Sequence, residues 1–119
     1  MKNNVIKRNS TNIKYLNKRT GKVEVVFRDI TYFDNWTREE DGVLYNVGNA
    51  SHLRIPELYE IIEQGVPEGV VEMKARIKEL YNQMNVSYNL GIEKEITELK
   101  NEIHKRVDNY YKEMLNTAA

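Results

Sequence analysis

From Ile92 onward, apolar residues recur at helical spacing: Ile92, Ile96, Leu99, Ile103, Val107, Tyr110 and Met114 stand 4, 3, 4, 4, 3 and 4 residues apart. The pattern repeats after eleven residues, about 3.67 per turn, so the stripe runs nearly straight along one long helix. Upstream, Val70, Met73, Ile77, Leu80 and Met84 follow spacings of 3, 4, 3 and 4, which predicts a second amphipathic helix with Pro67 opening its first turn. Residues 85–91, Asn-Val-Ser-Tyr-Asn-Leu-Gly, break the pattern between them. Two such helices with so short a join pack antiparallel as an αα-hairpin. Alone they leave apolar surface uncovered, so they must lie on a sheet, on a partner subunit, or on both.

The first third supplies a sheet. Ile13 to Leu16 and Val23 to Phe27 read as a β-hairpin around Asn17–Lys22, with Gly21 in the left-handed position that a type I turn plus bulge requires. Ile30 to Trp36 fits either a strand or one helical turn, Asp41-Gly42 is a turn signal, and Val43 to Val47 reads as a further strand. After the loop Gly48–Ser51, Pro56 fits the first position of a short helix through Gln64, closed by Gly65. The expectation is one α+β domain over residues 1–119. An amino-terminal antiparallel β-sheet with a basic arm occupies 1–48, and helices over 56–116 end in a hairpin that packs on the sheet and on a partner subunit.

Composition narrows the function classes. With 40% hydrophobic and 30% charged residues the chain is an ordinary globular one. The absence of cysteine excludes disulfides, thiolate nucleophiles and Cys-ligated zinc, and two histidines are too few for a usual zinc site, so no metal or cofactor is expected. No stretch reads as a signal peptide or a membrane span, which points to the cytoplasm and away from a membrane partner. Charge is uneven along the chain. Residues 1–28 carry eight Lys/Arg against Glu24 alone, net +7, and residues 29–119 carry net −7. A basic arm of this kind is a solvated charge run, an anion or nucleic-acid contact, or an electrostatic partner of the acidic half.

Enzyme signatures are missing: there is no Gly-rich phosphate loop, G-x-S-x-G, H-E-x-x-H or D-x-D cluster. The triplets His52-Leu53-Arg54 and His104-Lys105-Arg106 could place an acid and a base on a phosphodiester, but two solvated histidines are the simpler reading, and no catalysis is expected. Arg106 lies about 60° from the centre of the helical stripe, with Glu102 one turn before it on the same flank. The pair is either an ordinary i,i+4 ion pair or a carboxylate orienting a guanidinium towards an anionic ligand. Arg54 is read as a loop cation just before a helix start, where free N–H groups favour anions. In the join, Tyr88 and Asn89 combine a ring with an amide, groups that stack on a base and read its edge. Tyr81 lies on an apolar face and reads as a core or dimer contact.

With Arg54, Asn89, Glu102 and Arg106 in these positions, the chain resembles the Thoeris anti-defence sponge proteins of the first type, small phage proteins that sequester immune signals. The likeness lies in length and in strands followed by two carboxyl-terminal helices. It lies also in an arginine after the strands, an asparagine between the helices, and an acid followed by an arginine in the last helix. The family's stacking phenylalanine has Tyr81 and Tyr88 near its place. The resemblance implies a non-catalytic binder of cyclic nucleotide-type messengers, the glycocyclic ADP-ribose isomers made by TIR-domain enzymes. It implies homodimers or hexamers, with Arg54, Tyr81, Tyr88, Asn89, Glu102 and Arg106 around the ligand, and room in the family for separate sites for cyclic di- or trinucleotides. The rival reading is a small phage or bacterial nucleic-acid-binding or host-interaction protein that uses the basic arm. It is the less favoured because neither carboxyl-terminal helix reads as having a basic face.

Overall fold

A computed structural model of the chain describes residues 4–28 and 35–116. Five strands precede two helices: β1 (Asn12–Asn17), β2 (Lys22–Arg28), β3 (Trp36–Glu40), β4 (Val43–Asn46) and β5 (Tyr59–Gly65), then α1 (Val70–Val86) and α2 (Leu90–Asn116). The strands form one sheet in the order β4-β3-β2-β1-β5, every pairing antiparallel. Gly21 takes φ +74° and its N–H donates to the Asn17 carbonyl, closing the expected β1–β2 hairpin. Asp41 and Gly42, at φ +52° and +79°, make the two-residue turn between β3 and β4, both left-handed as a type I′ hairpin needs. Residues 30–34, which the sequence left between strand and helix, lie outside the described residues, while Trp36 opens β3.

Both faces of the sheet are covered, and the two central strands show it by their alternation. Ile13, Tyr15 and Val26 point to one face, where they pack with Trp36, Ala50, Leu53 and Tyr59. A short 3₁₀ turn, Ser51–Arg54, places Leu53 in that cluster. Val25 and Phe27 point to the other face and meet Tyr111 and Met114 of α2. On this face β1 contributes polar groups: buried Asn12 donates from Nδ2 to the carbonyl of Val107 at 3.2 Å, in the middle of α2. The helices pack on each other through Val70, Ile77, Leu80, Ile96, Ile103 and Val107, and α2 lies against β1 and β2. The amino-terminal segment is tied down. Asn4 donates to the carbonyls of Leu53 and Tyr59 at 2.8 Å each, and Gln64 accepts from the Lys7 N–H and donates to the Val5 carbonyl.

Four sequence expectations need correction. Residues 59–65 are strand β5, not the helix expected from Pro56 to Gln64. Tyr59 pairs with Asn17 and Ile61 with Tyr15, but Glu63 pairs with Lys14, so Ile62 is a bulge residue without a partner on β1. The bulge breaks the period of two, and the adjacent Ile61 and Ile62 then read as a helical face. The next helix begins at Val70 behind Gly69, three residues after Pro67, and the break between the helices is only Ser87–Asn89. In α2 the buried position is Tyr111, whereas Tyr110 is half-buried and its hydroxyl donates to Glu63 of β5 at 3.4 Å.

Candidate functional site

Arg106 is the most firmly placed of the residues singled out by sequence. Its Nε donates to Glu102 Oε1 at 2.9 Å, the expected i,i+4 pair, and its Nη1 donates to the backbone carbonyl of Glu68 at 2.6 Å. The second contact depends on Gly69. That residue has φ +80°, and a Cβ there would stand 2.6 Å from Nη1. The guanidinium therefore fits against the turn into α1 only because glycine occupies the position. It borders a cleft of about 520 Å³ lined also by Val66, Pro67, Asn109, Tyr110 and Glu113. Two of its five N–H donors are used by these contacts, and the rest can meet an anion.

The other five expected ligand residues are spread out. Arg54 ends the 3₁₀ turn and is followed by extended Ile55, a turn over residues 56–58 and then β5, so no α-helix start lies beside it and the expected helix N–H groups are absent there. Its neighbours are side chains instead: it lines a cleft of about 240 Å³ with Lys7, Arg8, Arg28, Trp36 and Asn49. Asn89 caps α2, its Oδ1 accepting from the N–H groups of Gly91 at 2.8 Å and Ile92 at 3.3 Å. Tyr88 is 69% exposed and its hydroxyl donates to the Glu93 carboxylate, which pushes the phenol pKa up. Tyr81 accepts from Lys100 Nζ at 2.6 Å, and that ammonium also stands 5.1 Å from the ring centre.

One chain therefore joins Glu102 with Arg106 but does not gather all six residues. Leu90, beside Asn89, and Arg106 are sixteen residues apart on one helix, about 24 Å. Arg54 sits on the sheet face opposite α2. The two histidines are divided in the same way. His52 stands edge-on to Tyr59 at 5.4 Å, its pKa lowered mainly by burial, while the exposed His104 lines a cleft of about 740 Å³ between α2 and the β3–β4 hairpin. They cannot act as one acid–base pair within a chain. Among the described residues no group of three or more His, Asp or Glu side chains could hold a metal ion, and no helix is long and apolar enough to cross a membrane.

A group the sequence did not single out lies where the amino-terminal segment meets α1. Arg8, Asn9, Arg28, Val71, Lys74 and Lys78 line a cleft of about 400 Å³, and Arg8 and Arg28 also line the cleft of Arg54. Arg28 is fixed there, donating from Nε to the Ser10 carbonyl and from Nη2 to the Arg8 carbonyl, both at 2.7 Å, with its guanidinium carbon 4.7 Å from the Trp36 ring centre. Lys74 and Lys78, one turn apart, give α1 a basic flank, contrary to the expectation that neither helix has one. The i,i+4 spacing was the available signal, and the acids and amides of the same helix, Glu72, Glu79, Asn82, Gln83 and Asn85, obscured it. No protein-family model, curated protein or solved structure matches this chain.

Proposed function

We propose that this protein is a non-catalytic anti-defence protein that sequesters a cyclic nucleotide-type immune messenger of the glycocyclic ADP-ribose kind. The observation that carries the reading is the setting of Arg106. A guanidinium held on one side by Glu102 and on the other by the Glu68 carbonyl, with room left by Gly69, meets a phosphate without first losing side-chain freedom. Sequestration at low messenger concentration needs nanomolar binding, about 12 kcal/mol, and preorganised charge-assisted bonds are the economical source of it. The strands followed by two helices agree with the architecture that the resemblance implies. The distances between Arg54, Asn89 and Arg106 mean that a ligand touching all three would bridge two copies of the chain, so the reading includes a homodimer or hexamer with composite pockets. The separation of His52 from His104 favours holding over hydrolysis.

Native mass spectrometry of the protein with a panel of cyclic ADP-ribose isomers and cyclic nucleotides tests the proposal, since it reports ligand and stoichiometry together. A bound messenger released intact on heating is expected, and recovery of a cleaved product would refute a non-catalytic role. Arg106→Ala is expected to weaken messenger binding at least a hundredfold with the oligomer retained; unchanged binding would remove Arg106 from the site.

A further inference from the structure

We infer that the groove between the amino-terminal segment and α1 is a separate binding site for a ligand that carries a run of linked phosphates. Six cations, Lys7, Arg8, Arg28, Arg54, Lys74 and Lys78, line its two adjoining clefts, and among the described residues no acidic side chain lines them. The Arg106 cleft is different, for Glu68 and Glu113 line it as well. In the groove the positive charge is built into the fold. Arg28 is immobilised by two carbonyls and the Trp36 face, and those same carbonyl bonds fix the course of residues 8–10, which carries Arg8.

The shape selects the ligand class. One wall is the amino-terminal segment, the other is the Lys74–Lys78 flank of α1, and the two clefts share Arg8 and Arg28. A single phosphate would satisfy one cleft only, whereas an extended polyanion lying along the groove meets cations from both walls in succession. Asn9 and Asn49 add neutral hydrogen-bonding groups at the two ends, and Val71 gives an apolar contact for a sugar or base. A phosphodiester strand and free polyphosphate share this chemistry. Neither depends on the messenger reading, because the groove is defined by Arg8, Arg28, Lys74 and Lys78 whatever Arg106 binds.

The test is fluorescence anisotropy with a short labelled oligo-dT at several salt concentrations, with inorganic polyphosphate as a second probe. Binding at low salt should weaken with a log–log slope of about −0.7 per phosphate neutralised, near −3 for about four contacts. Lys74→Glu with Lys78→Glu should lower affinity at least tenfold and flatten the slope by about 1.4, while the melting temperature stays close to that of the parent because both side chains are exposed. Lys94→Glu with Lys112→Glu, exposed positions of α2 away from the groove, should leave binding within about twofold. Binding of oligo-dT alone identifies a phosphodiester strand, binding of polyphosphate alone identifies free polyphosphate, and either supports the site. Binding of neither probe, or an equal loss in the α2 variant, overturns it.

Discussion

Arg28 at the end of β2 and Arg106 in the middle of α2 both donate to backbone carbonyls at 2.6–2.7 Å, yet their surroundings are opposite in charge. Arg106 pairs with Glu102 and shares its cleft with Glu68 and Glu113, so much of its field is cancelled and any ligand must match the direction of its remaining donors. Among the described residues that line its cleft, Arg28 stands with Arg8, Lys74 and Lys78, where like charges add and direction matters less. The first environment selects by geometry and the second by field, which is salt-sensitive in a way the first is not. The two arginines also differ in what they hold together. Arg106 joins a helix to a neighbouring turn, whereas Arg28 ties the amino-terminal segment to the sheet.

Substitutions at the two positions sharpen that contrast. Arg28→Ala removes two charge-assisted bonds to carbonyls and the contact with Trp36, and a loss of about 3 kcal/mol is expected in urea unfolding. A loss below about 1 kcal/mol would show that the amino-terminal segment is held by Asn4 and Gln64 alone. Gly69→Ala comes next. The left-handed backbone and the 2.6 Å approach to Arg106 together should cost about 2 kcal/mol and displace the guanidinium from the Glu68 carbonyl, so messenger binding should fall with stability. Full messenger affinity in that variant would mean that the carbonyl contact does not position Arg106.

The smallest effect belongs to the 3₁₀ turn. Burial, then the Arg19 charge, lowers the His52 pKa below its ordinary 6.5, with Glu24 opposing and Arg38 assisting. The unfolded chain therefore takes up the proton first. The stability tied to neutral His52 is complete above pH 6.5 and declines as pH falls through that value towards the lowered folded one. A melting temperature that drops between about pH 7 and pH 5 should drop less in His52→Gln, and identical profiles would assign the acid response to other groups.

Elements written in local chemistry were readable in the sequence, and elements made by distant encounters were not. Gly21, Asp41-Gly42 and the stripe from Ile96 to Met114 each announce a turn or a face within a few residues. Strand β5 was misread because its bulge at Ile62 interrupts the alternation while Pro56 and Gly65 imitate helix boundaries. Tyr110 and Tyr111 exchanged roles because the stripe drifts at that end of the helix, where Tyr110 is drawn towards Glu63. Within the candidate site, Glu102–Arg106 followed from helical geometry alone. The basic groove did not, since it assembles residues 7–8, 28, 54 and 74–78 from four separate segments.

The hydrogen bond from Asn12 to the Val107 carbonyl reaches further than its own strength. A helix held on a sheet by apolar contacts alone can slide along its axis or roll with little penalty, because one methyl group replaces another. Asn12 is fully buried, and sliding α2 by half a turn or rolling it would take the Val107 carbonyl away from this amide and leave it without an acceptor, at about 1–3 kcal/mol. The bond thus acts as an index mark between the two layers, and α2 carries that alignment from Val107 back to the Ser87–Asn89 turn. The aim of Tyr88 and Asn89 is set from the middle of the helix by one amide on β1.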